Sequence, residues 1–197
     1  MRKVILASAS PRRSELLRQA GIEFSLLIPE VDEKTEKSEP PQVVEALAQL
    51  KAGAAFEKAV LDESCDMRHC VVLGADTVVA CGGRILGKPA DQVAAKEALK
   101  ALSGKEHDVY TGVCMIGHDE NGEVFKKVFS RKTAVKMKPL DEAVIDWYIS
   151  TGEPMDKAGS YGIQGLGAVL VEAVCGDYNN VVGLPLADVW QYLYHLS

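Results

Sequence analysis

Two arginines follow a run of small residues near the start of the chain, in Ser8-Ala9-Ser10-Pro11-Arg12-Arg13. Small residues let the backbone approach a ligand, and a helix that starts at Ser10-Pro11 offers N–H groups to an anion. The planar guanidinium of arginine can donate two hydrogen bonds to one phosphate and stays charged at any working pH. The segment therefore favours phosphate binding. The alternative is that both arginines are ordinary solvated residues of a first helical turn.

An aspartate follows an apolar run in the segment Gly74-Ala75-Asp76-Thr77. We expect a strand to end at this point, and in α/β folds ligands bind beyond the carboxyl ends of strands. Asp76 is therefore a candidate catalytic acid. A turn or capping residue is the alternative.

Three lysines are candidates to complete a phosphate site. Lys88 stands between a glycine and a proline, Lys51 lies in a predicted helix, and Lys157 lies in a glycine-rich stretch. Each lysine alone is typical of a solvated surface charge. Together with the arginines they would make a cradle for three phosphates, if the fold brings them together.

Hard oxygen ligands are concentrated in the acidic segment Glu30-Val31-Asp32-Glu33. Magnesium is usually held by one or two carboxylates together with phosphate oxygens and water, and it neutralises charge on a triphosphate. An exposed, solubilising loop fits the same composition. The histidines are dispersed, so no His/Cys spacing indicates zinc.

Residues 158–167, called the glycine loop below, are too rich in glycine for a helix and too long for a simple turn. They contain neither the G-x-x-x-x-G-K-[ST] phosphate motif nor G-x-G-x-x-G. Gln164 carries an amide donor and a carbonyl acceptor, which match the N3–H and O4 of uracil or thymine. The loop could thus close over a ligand, and a flexible surface loop is the alternative.

The elements that must position these side chains alternate between helix and strand. Apolar spacing and capping signals predict helices at about 11–20, 43–60, 91–102 and 141–149 and from about 185. Strands are predicted at about 4–7, 22–28, 70–73, 108–116, 124–137 and 168–174, with a further hairpin over 77–86 that turns at Gly82-Gly83. This pattern favours an α/β class with a mixed, highly twisted sheet over a doubly wound parallel sheet.

Length and composition bound the class of protein. The 197 residues, 47% of them hydrophobic, can bury one substantial core, so we predict a single domain over 1–197. A net charge of -6 gives no general attraction to nucleic acid. The five cysteines form no C-x-x-C pair, which indicates free thiols in a reducing compartment. Without a signal peptide or an apolar run of about 20 residues, we expect a cytoplasmic protein with no membrane contact.

Four segments in this order, at 8–13, 74–77, 87–89 and 156–165, resemble the motifs of the Maf family of nucleotide pyrophosphatases. The resemblance covers essentially the whole chain. It implies an elongated, twisted mixed sheet flanked by helices with a central cleft, similar to the inosine triphosphate pyrophosphatase (Maf/Ham1) fold. The combination SPRR, GADT and YGIQG resembles the dTTP/UTP branch of the family rather than the branch that acts on 7-methyl-GTP.

The same resemblance implies a role for individual residues. The family's catalytic acid corresponds to Asp76, and Glu33 corresponds to a position of the family's pocket. Our own expectation is that Glu33 and Asp76 hold a divalent cation, Mg²⁺ or Mn²⁺. Phosphate binding is implied for Ser8, Arg13, Lys51 and Lys88, and base choice for Arg12, Thr77 and Gln164.

The implied activity is hydrolysis of dTTP and UTP to the nucleoside monophosphate and pyrophosphate. Two alternatives stay open. One is a nucleotide-binding regulator of cell division, since members of this family are linked to inhibition of septum formation. The other is a pyrophosphatase for a different or modified nucleotide, such as 7-methyl-GTP. The family often forms dimers, so a homodimer is also an option, whereas nucleic acid and membrane are not expected partners.

Overall fold

A computed structural model describes residues 2–62 and 66–196, so Cys65 lies outside the described part. The helices are α1 (Pro11–Gln19), α2 (Pro40–Leu61), α3 (Gln92–Leu102), α4 (Glu142–Ser150), α5 (Tyr178–Val182) and α6 (Leu186–His195). The strands are β1 (Lys3–Leu6), β2 (Phe24–Leu26), β3 (Cys70–Cys81), β4 (Arg84–Leu86), β5 (Glu106–His118), β6 (Val124–Met137) and β7 (Val171–Cys175). None of the helices in these ranges has both the length and the apolar character to cross a membrane.

The described strands form one seven-stranded sheet. Its order is β2-β1-β3-β5-β6-β7, and β4 pairs with β3 beside this path. Strand β1 is parallel to both β2 and β3, whereas β4 is antiparallel to β3 and β7 is antiparallel to β6. The sheet is therefore mixed, which confirms the predicted α/β class with a mixed sheet flanked by helices.

Local signals explain where several helices begin. Pro11 and Pro40 occupy the first turns of α1 and α2, where the missing N–H of proline costs nothing. Asp91 and Asp141 cap α3 and α4, because each carboxylate accepts the amide N–H three residues further on at 2.8 Å. The helices predicted at about 11–20, 91–102 and 141–149 are confirmed, and the helix predicted at about 43–60 begins earlier, at Pro40.

Strand β3 is longer than predicted. The prediction ended a strand at residue 73, but β3 continues through Gly74-Ala75-Asp76 to Cys81. Asp76 therefore lies within a strand, and its predicted place beyond a strand end is wrong. Gly82 and Gly83 then close the hairpin to β4 with φ of 57° and 76°, which confirms the predicted turn.

The chain between α4 and β7 is also more ordered than the sequence indicated. It contains short 3-10 turns at Glu153–Asp156, Ala158–Ser160 and Gly165–Leu170. The short helix α5 follows β7 and was not predicted. Its five residues are too few to show a helical apolar period.

The chain divides into two compact units. Unit 1 comprises Met1–Asp76, Thr111–Arg131 and Gly183–Ser197, and unit 2 comprises Thr77–Tyr110 and Lys132–Val182. Strands β3, β5 and β6 are continuous segments of chain that contribute residues to both units. The single domain over 1–197 stays a prediction.

Each unit has a hydrophobic core of its own. In unit 1 the alanines of α2, among them Ala48, Ala52 and Ala55, pack with apolar residues of β1, β3 and β5. In unit 2, Leu99 of α3 and Tyr148 of α4 belong to a core of larger side chains. Full burial of one leucine contributes about 1.5–3 kcal/mol, so both cores can hold the side chains of a site in place.

Candidate active site

The ammonium of Lys51 lies between two carboxylates. Its Nζ is 2.7 Å from Oδ1 of Asp76 and 2.7 Å from Oε2 of Glu33. The side chains of Lys51 and Asp76 are 12% and 13% exposed, whereas that of Glu33 is 53% exposed. Three residues from separate segments of the sequence therefore meet at one point.

A glycine lets the two elements that carry this ion pair approach each other. Helix α2 carries Lys51 and strand β3 carries Asp76. A Cβ atom on Gly74 would lie 2.4 Å from the carbonyl oxygen of Ala48 and 2.7 Å from the amide nitrogen of Ala52. These two alanines flank Lys51 on the helix. Gly74 therefore fixes how closely the Lys51 side chain approaches β3.

A second glycine supports the same helix from strand β5. A Cβ atom on Gly112 would lie 2.3 Å from both the carbonyl carbon and the carbonyl oxygen of Val44. Neither glycine was singled out as a packing residue by the sequence analysis. A glycine inside an apolar strand is the signal that could have found them, since it often marks a close backbone approach.

Arg13 is buried at the first turn of α1. Its residue is 8% exposed, its Nη1 donates to Oγ of Ser8 at 2.9 Å, and its Nε donates to the carbonyl oxygen of Gly183 at 2.8 Å. The alternative of an ordinary solvated residue is therefore wrong for Arg13. Its neighbour Arg12 is half-buried.

Charge links Arg13 to the ion pair of Lys51. Burial lowers the pKa of the Arg13 guanidinium, while the negative charges of Asp76 and Glu33 act to raise it. These are the same two carboxylates that contact Lys51. We therefore treat five residues as one group, called the unit 1 cluster: Ser8, Arg13, Glu33, Lys51 and Asp76.

The two carboxylates of the cluster fit a divalent cation. Oxygens of Glu33 and Asp76 already converge on one positive group, the ammonium of Lys51. Within residues 2–62 and 66–196, no group of three or more His, Cys, Asp and Glu is placed to hold a metal ion. Magnesium often takes only one or two carboxylates and completes its shell with water and phosphate oxygens. The donor set thus suits an ion that arrives with a phosphate substrate.

Adjacent carboxylates of the acidic segment have different partners. Asp32 contacts the ammonium of Lys34 at 2.8 Å, and both of these side chains are largely exposed. Glu33 instead contacts Lys51. Asp32 therefore fits the solubilising alternative, and the role of Glu33 as a metal ligand stays a prediction.

The other predicted site residues belong to unit 2, apart from Arg12. Thr77 follows Asp76 in β3 and is half-buried. Lys88 is exposed after β4, and Gln164 is exposed in the glycine loop. Their roles stay predictions. Lys157, also considered for phosphate binding, has local partners, since its ammonium contacts Oδ1 of Asp156 at 2.7 Å.

Sequence reasoning missed the residues that hold the glycine loop. The Glu153 carboxylate accepts backbone N–H groups from Leu166 and Gly167, and Gly162 donates to the hydroxyl of Tyr148. These contacts join residues that are 13 or 14 positions apart in the sequence. No helix or strand period links such positions, so the pattern carried no signal for them.

Comparison with known proteins identifies relatives over nearly the whole chain. A family model described as "Maf-like protein" matches residues 3–196. A protein of Symbiobacterium thermophilum named "dTTP/UTP pyrophosphatase" is 48% identical over 194 residues, which cover 98% of this chain and 93% of that protein. A protein of Agathobacter rectalis with the same name is 47% identical over 202 residues, which cover 100% and 98% of the two chains.

One solved structure supports the fold. A Ham1 protein from Coxiella burnetii matches with a TM-score of 0.57 and 13% sequence identity, covering 99% of this chain and 100% of that chain. At this identity the likeness concerns the fold alone. It confirms the predicted similarity to the Ham1 fold.

Proposed function

This chain belongs to the Maf-like protein family, and we propose that it is a dTTP/UTP pyrophosphatase whose unit 1 cluster carries out the reaction. Two relatives with that name are 47% and 48% identical to it over nearly its full length. The single observation that carries the assignment of the site is the convergence of Glu33, Lys51 and Asp76 at 2.7 Å. Two carboxylates and an ammonium at one point supply a base, a charge and ligand oxygens.

In the proposed reaction, water attacks the α-phosphorus of the nucleotide. The bond between that phosphorus and the oxygen that bridges to the β-phosphorus breaks, and pyrophosphate leaves with the bonding electrons. Asp76 accepts a proton from the attacking water. Its contact with Lys51 at 2.7 Å holds the carboxylate in one position, and positioned bases of this kind contribute about 10²–10⁴-fold to the rate.

Positive side chains stabilise the charge that develops on the phosphates, which is usually a larger effect than proton transfer. Arg13 is suited to this role because Ser8 and the Gly183 carbonyl hold its guanidinium in a fixed orientation. We assign the same role to Lys51 and Lys88. Lys88 is an exposed residue of unit 2. Its role in phosphate binding rests on the family resemblance.

A divalent cation, Mg²⁺ or Mn²⁺, is part of the proposal. Glu33 and Asp76 would hold it, because their oxygens already converge on one positive group. The bound ion would neutralise charge on the phosphate oxygens.

A cytoplasmic location is also part of the proposal. Among the described cysteines, Cys70, Cys81, Cys114 and Cys175 are free thiols. Free thiols persist in a reducing compartment. The cysteines therefore support a location inside the cell.

The test is release of pyrophosphate by the purified wild type, by Asp76→Asn and by a matched control, Asp66→Asn. Asp66 is a more exposed aspartate that pairs with Arg68. Each protein is given dTTP, UTP, CTP and 7-methyl-GTP, with and without Mg²⁺ or Mn²⁺. We expect metal-dependent release from dTTP and UTP, and a loss of turnover of at least about 100-fold in Asp76→Asn alone.

Each other outcome contradicts a defined part of the proposal. Near-normal turnover of Asp76→Asn removes Asp76 from the role of base. Pyrophosphate release that does not depend on Mg²⁺ or Mn²⁺ contradicts the proposed role of a divalent cation. A preference for 7-methyl-GTP indicates the other specificity, and no release from any nucleotide favours the cell-division regulator.

Base selection is assigned to Gln164, whose amide matches the adjacent N3–H and O4 of uracil and thymine. Rotation of the amide by half a turn would instead match cytosine, in which the donor and acceptor are reversed. The orientation of Gln164 must therefore be fixed. If Gln164→Ala leaves the ratio of UTP to CTP hydrolysis unchanged, this assignment is wrong.

A further inference from the structure

The carboxylate of Glu153 is the centre of a hydrogen-bond network under the glycine loop. Its Oε2 accepts the N–H of Leu166 at 3.0 Å, and its Oε1 accepts the N–H of Gly167 at 3.0 Å and the hydroxyl of Tyr148 at 2.9 Å. Burial alone would raise the pKa of Glu153, but these three donors and the positive charge of Lys157 lower it overall. The carboxylate is therefore ionised near neutral pH, and an ionised carboxylate has only acceptor positions to offer.

Tyr148 extends the network to the other side of the loop and into the core. Its hydroxyl accepts the N–H of Gly162 at 3.0 Å and donates to Glu153. The residue is 0% exposed and belongs to the hydrophobic core of unit 2. The network is thus attached to the close-packed core of unit 2.

Two glycines of the loop are required by this close contact. A Cβ atom on Gly165 would lie 2.8 Å from Oε2 of Glu153, and Gly165 has a φ of 63°. A Cβ atom on Gly167 would lie 2.6 Å from the hydroxyl oxygen of Tyr148 and 2.3 Å from the carbonyl oxygen of Gly162. These two glycines therefore let the backbone of the loop approach the Glu153 carboxylate and the Tyr148 hydroxyl closely.

Gln164 stands between the anchored positions. Gly162 precedes it by two residues, and Leu166 follows it by two residues. Its side chain is exposed, while the backbone on both sides is held by Tyr148 and Glu153. Fixing the backbone fixes the point and direction from which the Gln164 side chain leaves the main chain.

We propose that Glu153 and Tyr148 are positioning residues for base selection: by holding the backbone on both sides of Gln164, they fix the position from which its amide reaches the pyrimidine. This inference rests on the proposed function, because it concerns the residue to which that function assigns the choice of base. Neither residue touches the substrate in this role. Both act through Gln164.

The isosteric change Glu153→Gln tests the role of the carboxylate. It keeps the size of the side chain but replaces one acceptor oxygen with an NH₂ group, which would face a donor of the network. Tyr148→Phe keeps the buried ring and removes only the hydroxyl. The matched control is Glu172→Gln, an exposed carboxylate of the same unit that pairs with Lys136 at 2.7 Å.

The measurement is kcat/KM for UTP and for CTP in the wild type, both single variants, the double variant, the control and Gln164→Ala. We expect the preference for UTP over CTP to fall by about tenfold in each single variant, the effect of about one hydrogen bond. The double variant is expected to fall little further, because both residues act in one network. The control keeps the wild-type ratio.

A merely structural role gives a different result. Loss of folded protein lowers kcat/KM for UTP and CTP by the same factor and leaves their ratio unchanged, which overturns the inference. If Glu153→Gln does not fold, the ratio of kcat/KM for UTP to that for CTP in Tyr148→Phe tests the inference instead.

The ratio measured for Gln164→Ala shows whether a negative result contradicts the positioning role alone or the proposed function as well. An altered ratio in Gln164→Ala with an unchanged ratio in Glu153→Gln and Tyr148→Phe overturns the positioning role alone. An unchanged ratio in Gln164→Ala, or no hydrolysis of UTP by the wild type, overturns the assigned function and the inference with it.

Discussion

Individual side chains of the unit 1 cluster balance charge over short distances. One ammonium contacts two carboxylates at 2.7 Å, and the same carboxylates oppose the effect of burial on the pKa of Arg13. Glu33 is the most exposed of the three residues around Lys51. Of the two carboxylates, that of Glu33 can therefore leave Lys51 for another cation at the lower cost in desolvation.

The role of Glu33 as a metal ligand predicts the effect of removing its charge. Glu33→Gln should raise the Mg²⁺ concentration needed for half-maximal pyrophosphate release by at least about fivefold, since a unit charge at a few ångströms is worth about 1–4 kcal/mol. The measurement is a Mg²⁺ titration at saturating UTP. Asp32→Asn is the matched control, because Asp32 pairs with Lys34 at the surface. Equal titration curves for Glu33→Gln and the wild type would contradict the prediction.

At the scale of the elements, helix α2 packs against two strands at positions where the strand residue is glycine and has no side chain. Gly74 of β3 and Gly112 of β5 both leave room for its backbone, and its own buried surface includes four alanines. This close contact explains why a lysine in the middle of α2 reaches an aspartate of β3. A larger residue at either glycine would separate the two elements.

The packing of α2 predicts opposite effects for two glycine substitutions. Gly74→Ala should lower the free energy of unfolding by roughly 1–3 kcal/mol through overpacking and reduce turnover, because Lys51 moves away from Asp76. Gly53→Ala in α2, where a Cβ atom meets nothing within 4 Å, should raise the free energy of unfolding by about 0.5–1 kcal/mol. Urea unfolding and pyrophosphate release measure both effects. Equal stability of the two variants would show that the close contact at Gly74 is unimportant.

At the scale of the whole molecule, distant parts of the chain complete unit 1. The carbonyl of Gly183, which accepts from Arg13, lies 170 residues further along the chain. The helix that follows, α6, is held by Arg131, whose guanidinium donates two hydrogen bonds of 2.6 Å to the carboxylate of Asp188. The cluster therefore requires both ends of the chain to be folded.

The stability of the whole molecule should fall in mild acid because of His107. Burial lowers the pKa of His107 from 6.5 to about 4, so the folded protein keeps it neutral while the unfolded chain binds a proton. The unfolded state thus gains protons below pH 6.5, and stability falls as the pH drops from 6.5 towards 4. His107 should account for a loss of about 2 kcal/mol by pH 5.

Urea unfolding of the wild type and His107→Gln between pH 7 and pH 5 measures this contribution. Glutamine can keep the contact that His107 makes with the Tyr161 hydroxyl at 2.7 Å, but it does not titrate. The stability of the variant should therefore depend less on pH over this range. Parallel pH dependence in the two proteins would show that His107 is not the group responsible.

The sequence by itself determined most of the helices and strands and the family. Pro11 at the start of α1 and Asp91 at the start of α3 act on neighbouring residues, so their effect can be read from the chain alone. The order of four short motifs indicated the family, and the match over residues 3–196 confirms it.

Only the tertiary structure decided which of the predicted site residues meet. Glu33, Lys51 and Asp76 come from a loop, a helix and a strand, and they converge because Gly74 and Gly112 leave space that is visible only when α2 lies on the sheet. The strand that runs through Asp76 and the anchoring of the glycine loop by Glu153 likewise depend on contacts between distant residues. Sequence periodicity reports the face of one element. It does not report the distance between two elements, which packing sets.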